Sequence, residues 1–362
     1  MPLEAKPRPT AQEVRALVPA HCRKPTPGLH LAVFALTAGV HVLLFAACAA
    51  LQWWPARLLA ALLDGWMTFI LLCIGHDAAH GNVSRSARVN RLIGCLAFLP
   101  SLTPYSIWVR THNRLHHGFT NLRGHDWAYT PFSREEFVRL PAWRRALERC
   151  YKTVPGLALY YVIEIWWKHV FFYPARQARE RARYAFDRLL VVSFAAAQVG
   201  SVLAWQFLAA PADAAPALAC CAGLLAAVVL PWLAFCWFIG LVSFLQHTHP
   251  NVHWYANPSE WSFYGGNVQG SVHVVFPWPL DCFMHVIMEH TAHHADSRVA
   301  TARLREYQQQ LEEAYADVVV ERFSLAYLRR MLATCQLYDY DNHRWLTFAG
   351  EPTKPRPTPA RG

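Results

Sequence analysis

Charge is scarce in this chain. Asp, Glu, Lys and Arg make up 16% of its 362 residues, against roughly 25% in an ordinary soluble domain. A water-soluble globule is therefore a poor description. Metal-type cysteine spacing is missing as well: there are ten cysteines but no C-x2-C pair. Cys220 and Cys221 are adjacent within an apolar run, and Cys48, Cys73 and Cys236 lie in others, which suits small core residues. No disulfide framework is implied. The chain has no His-Pro-Gly-Gly stretch for heme, no Gly-rich nucleotide fingerprint and no Rieske-type Cys/His set. It has no internal repeat.

What is present is apolar: 54% of residues are hydrophobic, with 15 Trp and 20 Phe, as expected where aromatic rings line a bilayer interface. Residues 29–51, 58–75, 189–209 and 217–245 each reach or approach the roughly 20 apolar residues that cross a bilayer. The pattern predicts an all-α integral membrane protein with four transmembrane helices. Residues 154–173 are apolar but carry Glu164, Lys168 and His169, so an interfacial or half-buried helix is expected there, with a fifth span as the alternative. Pro100 and Pro104 make 92–108 a poor span, better laid along the membrane surface. Residues 1–28 form an N-terminal segment, 29–350 the membrane domain and 351–362 a Pro-rich tail expected to be disordered. The first apolar run is read as a retained span, because no small-residue cleavage site follows it. Charged residues with periodic Leu, Tyr and Met over 302–334 predict one or two amphipathic helices in a cytoplasmic cap.

The net charge of +10 raises nucleic acid as a partner, but its distribution points elsewhere. Five Lys/Arg fall in residues 1–27, seventeen in 82–184 and ten in 250–362, while the connections at 52–57 and 210–216 hold only Arg57. With four spans the basic segments share one side, which is the positive-inside asymmetry. Both termini and every histidine cluster should then face the cytoplasm, in the inner membrane of a bacterium.

Eight histidines form three clusters: His76 and His80; His112, His116 and His117; His290, His293 and His294. A fourth group, Gln246-His247-Thr248-His249-Pro250, follows the last apolar run. Residues three or four apart share a helix face, so each cluster can aim its rings at one point. The first cluster begins where the second span ends, and the fourth group where the fourth span ends. Eight imidazoles exceed what one tetrahedral ion needs, so the pattern asks for two metals. Ligation by imidazole without cysteine argues against iron–sulfur and blue-copper centres and fits a pair of oxygen-binding iron ions. Asp77, Asp126 and Glu289 flank the clusters and could orient ligand rings. His30 and His41 are read as hydrogen-bonded packing residues. His21, His125, His169 and His343 have no partner at ligand spacing along the chain, and His253 and His273 are weaker candidates for supporting ligands. Asp64, inside the second span, either pairs across the bundle or lines a cavity.

The stretches His76-Asp77-Ala78-Ala79-His80-Gly81, His112-Asn113-Arg114-Leu115-His116-His117 and His290-Thr291-Ala292-His293-His294 resemble the three histidine boxes of the membrane fatty acid desaturases. The chain is most similar to the acyl-lipid delta-12/omega-6 and omega-3 branch. Residues 16–22 (ALVPAHC), the Gln246–Pro250 group, His285-Val286-Ile287-Met288-Glu289, and residues 335–345 support this. The resemblance runs over residues 11–350. It implies two iron ions (Fe2+) bound by the eight box histidines, with O2 as co-substrate. It also implies one more ligand from the end of the fourth span: His247, directly after Leu-Gln, with His249 as the fallback. His285 could be a ligand or support one. Ala78-Ala79 and Ala295 depart from the family's usual residues without removing a ligand; they bear on substrate and regiochemistry.

The implied reaction removes two hydrogens from adjacent methylenes of a lipid-linked acyl chain, consuming O2 and two electrons. No acid or base can attack an unactivated C–H bond, so the chemistry belongs to metal and oxygen. Neighbouring methylenes are alike, and each is worth only about 1–3 kcal/mol of discrimination, so bond position must be set from a fixed end of the substrate. Electrons must come from a separate ferredoxin or cytochrome b5-like donor; the basic central segment could steer an acidic one or contact anionic lipid. A di-iron acetylenase or hydroxylase is the nearest alternative, and a non-enzymatic metal transporter the distant one. A transporter would place its ligands at mid-bilayer, not at span ends.

Overall fold

The computed structural model describes residues 8–209, 216–284 and 286–354; most of the tail expected from residue 351, and residues 1–7 of the N-terminal segment, lie outside these. Among the described residues, four helices are long and apolar enough to cross a membrane: Pro27–Ala50, Trp54–His80, Ala178–Ala209 and Pro216–His247. The protein is a helical membrane protein. The last three helices outlast the apolar runs that mark them, because polar residues at their ends continue the backbone ladder; the first stops one residue short of its run. Prolines start the helices rather than break them: Pro27 and Pro55 occupy the first turn of the first two, where a missing N–H costs nothing. Pro231 lies inside the fourth, directly after a π-helical stretch Leu225–Val229 that absorbs the lost hydrogen bond. The second helix stops at Gly81, whose φ of +84° lets its N–H reach the carbonyls of Ala78 and Asp77, a left-handed cap that a Cβ disfavours.

The chain divides into two compact units interleaved along the sequence. One comprises Pro25–Thr111 and Leu157–Leu241. In it the first two spans, joined by only three residues, run antiparallel and are tied by two buried hydrogen bonds. His30 Nε2 meets Asp77 Oδ2 at 2.9 Å, and His41 Nδ1 meets Asp64 Oδ1 at 2.6 Å. Hydrocarbon offers these groups no other partner, so each pair fixes the helix register. The His41–Asp64 pair also lines a cavity of about 300 Å3 with Thr68 and Gln198, so Asp64 both pairs and lines. At the carbonyl end of the first span, Ala49 O accepts from Arg57 at 3.1 Å and from Gln206 at 2.7 Å.

The stretch 92–108 is not one helix. Ala87–Phe98, capped by Ser86, packs its Ile93 and Ala97 on Leu71, Ile74 and Ala78 of the second span. The turn that follows leads to Tyr105–Trp108. Its carbonyls are satisfied by indoles: Trp166 Nε1 donates to Leu102 O at 2.9 Å and Trp232 Nε1 to Ser101 O at 3.5 Å. Gly156–Tyr160 continues as a π-helix, Tyr161–Phe171; Lys168 pairs with Glu164 one turn away.

The other unit holds Met1–Lys24, His112–Gly156 and Val242–Gly362. The 302–334 segment contributes helices Leu304–Ala314 and Leu325–Thr334, but a strand, Val319–Arg322, separates them. It pairs in parallel with Val272–Val275: four β-branched or extended residues on each side find a distant partner that helical periodicity could not reveal. A short hairpin, Leu337–Asp339 with Arg344–Leu346, completes the β content of the described residues. It anchors the chain after the fourth span, since Trp345 Nε1 donates to Val252 O at 3.0 Å and Trp254 N to Tyr338 Oη at 2.9 Å.

At Gly65 the second span comes close to the fourth: a Cβ there would meet Ala234 Cβ and Pro231 O, each at 2.6 Å. Small residues permit such contact between membrane helices. Gly65→Leu is therefore expected to cost about 1–3 kcal/mol through overpacking, seen as a lower melting temperature of the detergent-solubilised protein. Gly200→Ala, in the third span with open space around it, should leave melting unchanged.

Candidate metal centre

The second histidine box sits on a π-helix, Val109–His116. Its wide turn bonds His117 N to His112 O at 3.0 Å, five residues apart instead of four. The consequence decides the site. His112 and His117 face each other, Nε2 to Nε2 at 3.1 Å, while His116 turns elsewhere. The third box lies on the helix His290–Ala295, wholly buried, and it splits in the same way. His293 Nε2 meets His117 Nε2 at 3.0 Å, and His290 Nε2 meets His247 Nε2 at 2.8 Å.

Two imidazole groups result within this unit. In one, His112, His117 and His293 each offer a ring nitrogen within 4.8 Å of the others; in the second, His116, His247, His290 and His294 do the same and all four are buried. In the other unit His76 and His80 occupy the last turn of the second span, with rings 4.7 Å apart. His247 joins through the last turn of the fourth span.

Hydrogen bonds on the far ring nitrogens set which atom faces inward. His116 Nδ1 donates to Asp126 Oδ1 at 2.8 Å, and that carboxylate also accepts from Asn121 N at 2.8 Å and Ala128 N at 3.1 Å. Burial alone would raise the Asp126 pKa, but the adjacent His116 and the backbone donors outweigh it and hold the carboxyl below its usual range. His294 Nδ1 lies 3.3 Å from Asn267 Oδ1 and 3.0 Å from Thr120 Oγ1, leaving its Nε2 buried with no hydrogen-bond partner. Burial, and then the neighbouring histidines, hold His294 well below the usual imidazole pKa, so it is neutral and has a lone pair to give. With the ring nitrogens of His116, His247 and His290 it makes a buried donor set for a borderline divalent metal.

The remaining candidates separate clearly. His249 is turned away: its Nε2 meets Glu321 Oε1 at 3.1 Å and its Nδ1 accepts from Asn251 N at 3.1 Å. His285 lies outside the described residues. Asp77 bonds His30 and lies 3.7 Å from His76 Nδ1. Glu289 is held by Arg305 at 2.9 Å; burial raises its pKa despite that partner. His273 bonds Glu312 at 2.6 Å, and His253 stacks on His343. Thr120 and Asn267 escape the sequence reading. Thr120 follows His116 by one turn, a usable signal, but nothing in the spacing marks Asn267.

The family model for fatty acid desaturases matches residues 52–326, spanning all three boxes and His247. The chain belongs to the fatty acid desaturase family. This desaturase is 27% identical over 288 residues to a Picosynechococcus protein named sn-1 oleoyl-lipid 12-desaturase, covering 76% of this chain and 75% of that one. It is 29% identical over 310 residues to a Synechocystis sn-1 acyl-lipid omega-3 desaturase (ferredoxin), covering 82% and 78%. Against the chloroplastic omega-6 fatty acid desaturase of Spinacia oleracea it is 26% identical over 272 residues, covering 75% of this chain and 57% of the longer plant protein.

Asp126→Asn keeps the size of the side chain but removes the charge that orients His116. Loss of such a partner typically weakens metal affinity 10–100-fold. Metal content per purified chain after dialysis, measured by elemental analysis, should fall accordingly in the variant while the wild type retains its metal.

Proposed function

We propose that this membrane desaturase holds two iron ions on the eight box histidines and His247, and that it inserts a double bond into a lipid-linked acyl chain. The observation that carries the reading is the buried all-imidazole group of His116, His247, His290 and His294, with the His294 Nε2 lone pair unanswered. His112, His117 and His293 serve the second ion, with His76 and His80 from the first box. Iron, when bound, supplies the oxygen activation that hydrogen removal from a methylene requires.

The protein's own residues do the rest. Asp126 keeps the His116 proton on Nδ1 so that Nε2 can bind; Asn267 and Thr120 do the same for His294. Burial of these rings keeps water away and holds His294 neutral. Fatty acid desaturation is oxidative and takes two electrons, which a separate ferredoxin or cytochrome b5-like protein supplies. The relative named with ferredoxin supports that donor class. The relatives named for oleoyl-lipid 12- and omega-6 desaturation support a delta-12/omega-6-type bond position. The basic-segment distribution supports cytoplasmic termini and a cytoplasm-facing site in a bacterial inner membrane.

A host expressing the wild-type chain should accumulate a new unsaturated fatty acid, with bond position read by gas chromatography–mass spectrometry of its lipids. Alanine at His80, His116 or His293 should abolish that product while the protein remains in the membrane fraction at wild-type level. Near-normal product from such variants would overturn the ligand assignment. A triple bond or hydroxyl in the product would redirect the reaction class and leave the centre in place.

A further inference from the structure

One cluster of metal-ligating side chains lies outside both imidazole groups. His21, without a ligand-spaced neighbour along the chain, gains one in space: Glu306, 285 residues later, whose Oε2 lies 2.8 Å from His21 Nε2. Cys22 Sγ is 3.6 Å from the same nitrogen, and all three ligand atoms lie within 4.8 Å of one another. Cys22 is fully buried, whereas the His21 and Glu306 side chains are 48% and 42% exposed.

We infer that His21, Cys22 and Glu306 form a second metal site, for a thiophilic divalent ion of the zinc class, that clasps the N-terminal segment to the helix following the third box.

The spacing supports it. With zinc–sulfur and zinc–nitrogen bonds of about 2.3 and 2.0 Å, a tetrahedral angle sets sulfur and nitrogen about 3.5 Å apart, and the pair stands at 3.6 Å. Nitrogen and oxygen would sit about 3.4 Å apart in the same geometry, so the His21–Glu306 contact opens by about half an ångström when an ion replaces the shared proton. One thiolate, one imidazole and one carboxylate suit zinc and its neighbours and disfavour magnesium and calcium. Exposure of two ligands leaves a fourth position for water. Binding displaces the thiol proton.

The scaffold is already built. Cys22 packs with Val14, Val18, Leu304, Tyr307 and Leu311 in one apolar cluster. Tyr307 Oη donates to Val14 O at 3.0 Å. Arg23, beside Cys22 in the chain, is engaged by Asp296 at 3.0 Å and by Arg15 O at 2.6 Å. The same cluster includes Ala292 and Ala295 of the third-box helix, so an ion here would brace that helix from the side opposite its histidine lone pairs.

Cobalt separates this site from the imidazole groups, because only a thiolate gives an intense sulfur-to-cobalt charge-transfer band. Titrating Co2+ into the purified full-length protein should produce that band with one equivalent, and Zn2+ should bleach it. Cys22→Ser should lose the band while Cys335→Ser keeps it. Glu306→Gln, at a half-exposed position that does not threaten folding, should keep the band but need about tenfold more cobalt. Absence of the band in wild type, or its survival in Cys22→Ser, overturns the assignment.

Discussion

A neutral imidazole that donates through one ring nitrogen has a lone pair left on the other, and lone pairs buried face to face repel unless a cation or shared proton lies among them. That constraint organises the centre. Asp126, backed by two peptide N–H groups, directs the His116 lone pair inward; Asn267 and Thr120 direct that of His294. Burying such atoms without a partner costs roughly 1–3 kcal/mol each. The His294 Nε2 lone pair, set among the ring nitrogens of His116, His247 and His290, makes sense where a metal answers it.

The same requirement governs the spans. Each polar group set into hydrocarbon must find its partner inside the protein. His30 and His41 find Asp77 and Asp64, Ala49 O finds Arg57 and Gln206, and the turn at Ser101 and Leu102 finds two tryptophans. The His30–Asp77 bond sits next to His76, so one tie that registers the first two spans also touches the first box. Packing of the bundle and placement of a candidate ligand are thereby one problem.

Much was readable beforehand for physical reasons. Apolar runs of bilayer length announce spans because hydrocarbon tolerates little else, and histidines grouped at span ends have few other uses. Helix boundaries were less legible, since polar end residues such as Asp77 and His80 continue a helix once their groups are satisfied. The strand Val319–Arg322 was illegible because its partner lies 47 residues earlier, at Val272–Val275. Pro100 and Pro104 marked 92–108 as a poor span, but not the packing of Ile93 and Ala97 on the second span, which depends on a distant segment.

By itself, the sequence determined the histidine inventory, the membrane class and the family, because these depend on residue type and on spacing along one chain. The tertiary structure decided how the histidines are shared. Helical arithmetic puts His112 with His116, but the π-turn pairs His112 with His117 and sends His116 to His247, His290 and His294. Likewise His247 and not His249 enters the group, because Glu321 and Asn251 hold the His249 ring elsewhere. Those choices rest on turn geometry and on contacts between distant segments, which spacing along the chain does not encode.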